Sequence, residues 1–189
     1  MDMLSIWCTD QLIYRNIIDK SQKNIYIYGF QLFLSTLCSV SAILGVAFLS
    51  GNFIEGVVFL TIFMSLRMTA NGYHAKNYLG CFILSNSLFV FYLFLLSVCT
   101  GVEGQYLFCF FAVLSSVYIF VKAPVEHPNH KLSDLKRKVN RERARKLLVF
   151  IWLVSGGLYC LKLWEFVTAI HITLCLVAVM MIIKNKGGN

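Results

Sequence analysis

The sequence predicts an all-α integral membrane protein with about six transmembrane helices and an N-terminal amphipathic helix in the membrane interface. Of its 189 residues, 58% are hydrophobic and only 14% are charged, whereas about a quarter of the residues in a soluble domain carry a charge. The apolar residues are also gathered into long blocks that contain no charge. Because a helix needs roughly 20 apolar residues to cross a bilayer, these blocks predict membrane spans.

Three of the blocks are long enough to cross a membrane alone, and three shorter blocks are interspersed among them. The shorter blocks could be core helices of a soluble protein if they stood alone, but their place among longer spans predicts short transmembrane helices. The six predicted spans lie near 29–49, 53–66, 82–100, 106–121, 147–161 and 166–183. Together they predict a single membrane domain over residues 1–189.

The distribution of basic residues predicts the orientation of this domain. If both termini are cytoplasmic, 16 of the 17 lysines and arginines lie on the cytoplasmic side and Lys162 lies outside. Lysine and arginine bias sets orientation because loops that carry them are not readily translocated. We therefore predict a multi-pass membrane protein with both termini in the cytoplasm and a basic cytoplasmic loop at 122–146 between the fourth and fifth spans.

This basic loop also predicts the kind of partner that the chain binds. A cluster of lysines and arginines beside a membrane exit binds anionic lipids. Nucleic acid is not an expected partner, since no aromatic residues alternate with the charges.

The N-terminal segment 1–24 is predicted to lie in the membrane interface. It carries both acidic and basic residues, so it does not fit a cleavable signal peptide. Its large apolar residues fall roughly on one helical stripe: Leu4, Trp7, Ile13, Tyr14, Ile17 and Ile18. Such a helix can anchor the chain in the interface or provide a docking face for another amphipathic helix.

The seven cysteines do not form an obvious disulfide or zinc pattern, and we predict neither a metal nor a cofactor. Five lie within or at the ends of apolar blocks, where cysteine behaves as a small hydrophobic residue, and Cys8 belongs to the interfacial segment. Cys81 alone has polar neighbours, in "RMTANGYHAKNYLGC" at 67–81. It is therefore the candidate reactive thiol.

His74 is the candidate base for this thiol. On one straight helix the two residues would share a face but lie about 10.5 Å apart along the axis, whereas a nucleophile and its base must approach to roughly 3 Å. The turn dipeptide Asn71-Gly72 and Gly80 offer places where the backbone can bend. The pattern therefore leaves two interpretations: a cysteine–histidine catalytic pair, or a polar loop in which the two residues are accidental neighbours.

The order Arg67, Gly72, His74-Ala75, Cys81 in a chain of this size and hydropathy resembles the accessory gene regulator protein B (AgrB) family. The stretch "KAPVEHPNHKL" at 122–132 is similar to a second segment of that family. The resemblance covers most of the chain, although outside these two motifs it rests on hydropathy. Many family members have a double glycine where this chain has Asn71-Gly72.

The resemblance implies a cysteine endopeptidase of the bacterial cytoplasmic membrane that processes a small quorum-sensing pro-peptide of the AgrD type. It implies that Cys81 is the nucleophile and His74 its base. It also suggests that Arg67 binds substrate carboxylates or the oxyanion, although a basic residue here can equally be a membrane anchor. Gly72 is expected to shape the turn. The peptide would leave as a thiolactone or lactone, and its acidic tail could bind the basic loop; a homodimer is an open possibility.

Two other classes of function are compatible with parts of the sequence. In a small peptide exporter or transporter, His171 and Asn86 would line a path through the membrane, but no inverted repeat is visible. A non-catalytic membrane scaffold is the second alternative. Within the peptidase interpretation, Ser85 and Asn86 lie one helical turn beyond Cys81 and could orient His74, or could serve only in helix packing.

Overall fold

The structure, a computed structural model, describes residues 2–70, 78–99, 101–125 and 133–186. Within these ranges the chain forms seven α-helices and no strand, which confirms the predicted all-α class. A short 3-10 turn at Lys20–Gln22 precedes the second helix. The helices are α1 (Asp2–Tyr14), α2 (Lys23–Leu49), α3 (Phe53–Ala70), α4 (Tyr78–Val98), α5 (Val102–Lys122), α6 (Asp134–Cys160) and α7 (Trp164–Lys186).

Five helices in the described part of the chain are long and apolar enough to cross a membrane: α2, α3, α4, α5 and α7. The remaining predicted span, 147–161, corresponds to the apolar second half of α6, which buries Leu148, Ile151 and Ser155 against the bundle. At 27 residues, α6 is about 40 Å long. It therefore exceeds the roughly 30 Å thickness of a bilayer core, which leaves its basic first half beyond the apolar region.

The last helix, α7, is the centre of the bundle. It contacts α3, α4, α5 and α6, and 72% of the residues in its apolar stretch are buried, compared with 11% for α5. On the far side, α2 packs on α3 and α4. Gly56 allows α2 and α3 to approach closely, since a Cβ there would lie 2.5 Å from the Cβ of Ala47. Small residues at such crossings are typical of membrane helix packing.

One end of the bundle is closed by tight turns. After α2, Gly51 adopts a positive φ of 73°, and the N–H of Asn52 donates to the carbonyl of Ala47. This geometry ends a helix and satisfies its last carbonyls. Acidic residues occupy the first turns of the helices that begin at this end, where they complement the helix dipole: Glu55, Glu103 and Glu165.

The opposite end gathers the C-terminal ends of α3 and α5 and the first half of α6. The N–H of Val125 donates to the carbonyl of Ala70 at 3.1 Å, and Nε of Arg145 donates to the carbonyl of Phe120 at 3.3 Å. These contacts join segments that are distant in sequence. This end of the bundle, which we call the basic end, carries the described parts of both motifs that resemble the AgrB family.

Helix boundaries at the basic end differ from the predicted ones. The helix α3 continues past residue 66 to Ala70, and α4 begins at Tyr78 instead of residue 82. The segment 122–146, predicted as a loop, is helical from Asp134 onward. Ser133 and Asp134 are typical of helix starts, and the lysines and arginines that follow are good helix formers. Seven of the nine basic residues of this segment therefore lie on α6.

The N-terminal helix α1 packs against α2 through small polar residues, Ser5 and Thr9, which are buried. Asp10 forms a salt bridge with Lys23 at 2.6 Å. Leu4 and Trp7 of the predicted apolar stripe are exposed on the outside of the protein. This arrangement suits a helix whose apolar face contacts lipid.

Candidate functional site

The side chains of Arg67 and Cys81 meet at the basic end of the bundle. Nη2 of Arg67, in the last turn of α3, lies 3.1 Å from Sγ of Cys81 and donates a hydrogen bond to it. Cys81 occupies the first turn of α4 and is half-buried. Two sequence-predicted site residues are thus brought into direct contact.

Ser85 completes this cluster. Nη1 of Arg67 donates to Oγ of the buried Ser85 at 3.0 Å. Ser85 lies four residues after Cys81, so the two side chains share one face of α4. One guanidinium therefore spans two successive turns of α4. Asn86 is turned to its own helix, where Nδ2 donates to the carbonyl of Phe82.

Aromatic packing holds α3 and α4 in place next to this cluster. The guanidinium carbon of Arg67 lies 5.5 Å from the ring centroid of Phe63. Phe63 stacks on Phe59, and Phe59 in turn contacts Phe89 and Tyr92 of α4, at centroid distances of 5.2 and 4.8 Å. These buried rings bridge the two helices and restrict their sliding, which fixes where Arg67 meets Cys81.

Several positive charges and partial charges lie close to the sulfur of Cys81. A helix N-terminus stabilises an anion, and Cys81 lies in the first turn of α4. The guanidinium of Arg67 adds a positive charge at hydrogen-bonding distance. Lys184, near the end of α7, interacts electrostatically with Arg67. An oxyanion that forms beside the sulfur would be stabilised by this arrangement.

The second motif packs against the helix that carries Arg67. Ala123, Pro124 and Val125 are buried, and Val125 donates its N–H to the last residue of α3, Ala70. This contact caps a carbonyl at the end of α3. It joins the "APV" segment to the last turn of α3, which also carries Arg67.

Two of the predicted site residues, His74 and Gly72, lie outside the described residues. His74 belongs to the segment 71–77 that connects α3 to α4. In sequence it lies four residues from Ala70 and four from Tyr78, between the two helices that supply Arg67 and Cys81. Its contact with Cys81 stays a prediction. In the loop 122–132, His127 and His130 also lie outside the described part.

His171 does not belong to this cluster. Its Nε2 lies 3.2 Å from Oγ of Ser155 on α6, and its ring lies 5.3 Å from that of Trp152. It is thirteen residues before Lys184 on α7, which corresponds to about 20 Å along the helix. The buried imidazole has a hydrogen-bond partner and an aromatic neighbour, so a role in packing explains it.

All seven cysteines lie in the described ranges, and none of them is in a disulfide. Cys38 and Cys160 are exposed on the outside of their helices. Cys175 is half-buried on α7. Sγ of Cys81 accepts a hydrogen bond from the guanidinium of Arg67.

The fold and this cluster define an integral membrane protein with a thiol held against a guanidinium at one end of its helix bundle. The family model for accessory gene regulator B matches residues 7–183, nearly the whole chain. The chain therefore belongs to the AgrB family, which confirms the resemblance in the sequence. Comparisons with curated proteins and with solved structures found no match. Family membership supports a part in agr quorum-sensing peptide processing.

Proposed function

We propose that this protein is a membrane cysteine endopeptidase that removes the C-terminal tail of an AgrD-like pro-peptide and promotes its cyclisation. The observation that carries the proposal is the 3.1 Å contact between Arg67 and Cys81. A guanidinium beside the sulfur is placed to stabilise the oxyanion that forms when this thiol attacks a carbonyl group. In a chain of the AgrB family, peptide processing is the reaction that such a nucleophile serves.

In the first step, His74 takes the proton of the Cys81 thiol and the thiolate attacks the carbonyl carbon that precedes the tail. The sulfur–carbon bond forms, and the oxygen becomes an oxyanion within reach of the Arg67 guanidinium. The peptide C–N bond then breaks, and the tail leaves as an amine that receives the proton from His74. The shortened peptide remains on Cys81 as a thioester.

In the second step, an internal cysteine or serine of the peptide attacks the thioester. Its proton passes to His74 and then to the Cys81 thiolate that departs, so the free enzyme is restored. The product is a thiolactone or a lactone. Water competes for the same thioester, so cyclisation needs a site from which water is excluded. The half-buried position of Cys81 beside membrane spans suits this requirement.

The test of this function is co-expression of the chain with an AgrD-like pro-peptide, followed by mass spectrometry of the peptide products. We expect a product that lacks the tail and has the mass of a ring, which is one water lighter than the linear acid. An unprocessed pro-peptide would contradict the proposal. A peptide exported without covalent change would instead favour a transporter.

Ser85 is expected to act as a positioning residue for Arg67. Ser85→Ala removes the acceptor of the Nη1 hydrogen bond and should lower kcat/KM for tail removal about tenfold, since a hydrogen bond to a charged group contributes about 1.5–3 kcal/mol. Ser85→Thr keeps the hydroxyl and should retain most activity. The control is Ser87→Ala, because Ser87 is exposed on the same helix. Equal activity of the Ser85→Ala and Ser87→Ala proteins would rule out this role.

The same function requires the basic end to face the cytoplasm, where the pro-peptide is made. Single cysteines at Glu103 and Glu165, introduced into a chain without its exposed native cysteines, should react with a membrane-impermeant maleimide in intact cells. A cysteine at Asn129 should react only after the cells are lysed. Labelling of Asn129→Cys in intact cells would show that the predicted orientation is wrong. Cys81 would then lie on the side of the membrane opposite to the cytoplasmic pro-peptide.

A further inference from the structure

An apolar groove runs along the outside of the bundle between α5 and α6. Its volume is about 500 Å³. Its floor is formed by the buried Leu148 and by Trp152, whose Nε1 donates to Oγ of Ser116 at 3.0 Å. Its rims are exposed apolar side chains, with Val117 on α5 and Leu153 on α6. The polar atoms of the floor, Nε1 of Trp152 and Oγ of Ser116, bond to each other, so the surface of the groove is apolar.

The groove ends at a pair of guanidiniums. Phe120 lines the groove, and the guanidinium carbon of Arg145 lies 4.3 Å from its ring centroid. One turn further out on α6, Nη2 of Arg141 lies 3.5 Å from the carbonyl of Val121. Each guanidinium has five N–H donors, and these carbonyls accept one from each. The remaining donors are available to an anion.

We propose that this groove binds an anionic phospholipid, with one acyl chain between α5 and α6 and the phosphate on Arg141 and Arg145. The apolar groove matches the acyl chain of such a lipid, and the two guanidiniums at its end match the phosphate. The site, from Arg145 beyond the end of the groove to Leu153 within it, extends about 12 Å along α6, which is close to half of a bilayer core roughly 30 Å thick. An acyl chain of one leaflet therefore fits its length.

Local charge favours an anionic headgroup over a zwitterionic one. The segment 122–146 carries nine basic and three acidic residues, and a choline or ethanolamine cation would be repelled there.

The size of the groove argues against a helix of a peptide or of a second copy. A helix with its side chains is 10–12 Å across, whereas a volume of about 500 Å³ is in the range of small-molecule sites. This inference does not depend on the proposed peptidase activity.

The test is native mass spectrometry of the full chain in detergent with equal amounts of phosphatidylglycerol and phosphatidylcholine that carry the same acyl chains. The unmodified protein should retain phosphatidylglycerol at least about tenfold more than phosphatidylcholine, as charge-assisted hydrogen bonds imply. Arg141→Gln with Arg145→Gln should remove this preference. The matched control is Lys136→Gln with Arg143→Gln, which removes the same charge from the opposite face of α6 and should keep it.

A second pair of variants tests the acyl chain separately. Val149→Trp fills the groove without any change of charge, and Phe150→Trp places the same side chain on the exposed residue that follows. Loss of the retained lipid in Val149→Trp, but not in Phe150→Trp, supports the proposal. Equal retention of both lipids would overturn the proposal, and so would an equal loss of lipid in the two double variants. Binding of inorganic phosphate as strong as binding of the lipid would also overturn it. A dimer disrupted by Val149→Trp, without a lipid preference, would assign the groove to a second copy.

Discussion

Replacement of Cys81 by alanine is expected to abolish removal of the peptide tail and to leave the protein folded in the membrane. The thiol is half-buried and is not among the core residues of the bundle, so its loss should change packing little. Cys81→Ser should be almost as inactive, because an alkoxide is far harder to generate than a thiolate at cytosolic pH. The measurement is the ratio of cut to uncut pro-peptide after co-expression.

The control for this prediction is a chain in which Cys81 is the single remaining cysteine. The other six cysteines lie outside the cluster of Arg67, Cys81 and Ser85, and their replacement should leave most of the activity: Cys8, Cys38, Cys99, Cys109, Cys160 and Cys175. If the Cys81→Ala protein still cuts the peptide, Cys81 is not the nucleophile. If the chain that keeps only Cys81 is inactive although it is inserted, a second thiol takes part.

Replacement of Arg67 is expected to have the second largest effect. Arg67→Lys keeps the positive charge but cannot bond to Sγ of Cys81 and Oγ of Ser85 together, because an ammonium lacks the planar fork of a guanidinium. We expect kcat/KM to fall about a hundredfold, the loss typical of one oxyanion donor. Amounts of inserted protein should be unchanged.

Arg143→Lys is the matched control for this substitution, since Arg143 is exposed on the basic half of α6. It makes the same chemical change away from the site. Near-normal cleavage by Arg67→Lys would identify Arg67 as a membrane anchor only. A loss of inserted protein in Arg67→Lys would show instead that the guanidinium supports the fold.

The helices could be predicted from the sequence, and their ends at the basic end could not. The charge-free blocks near 29–49 and 166–183 became the apolar parts of α2 and α7 because in a bilayer a backbone must satisfy its own hydrogen bonds. A span predicted from hydropathy ends where polar residues begin, but helical hydrogen bonds continue through these polar residues. For this reason α3 reaches Ala70 and α4 begins at Tyr78.

The contacts of the site were partly accessible from the sequence. The shared face of Cys81 and Ser85 follows from their spacing of four residues. The approach of Arg67 to both does not, because it depends on how two separate helices cross. The hydrogen bond from Val125 to Ala70 likewise joins two motifs that no local pattern connects. The sequence also offered no sign that α7, and not α2, would be the central helix.

The measurement that tests the proposed chemistry most directly is detection of a thioester on Cys81. The pro-peptide should carry alanine in place of its internal cysteine or serine, so that the acyl-enzyme cannot be resolved by cyclisation. Intact-protein mass spectrometry is expected to show the chain heavier by the shortened peptide. Hydroxylamine should release the adduct, and fragmentation should place it on Cys81, with slower formation in His74→Ala. Removal of the tail without any adduct on Cys81, or an adduct on another residue, would contradict the proposed mechanism.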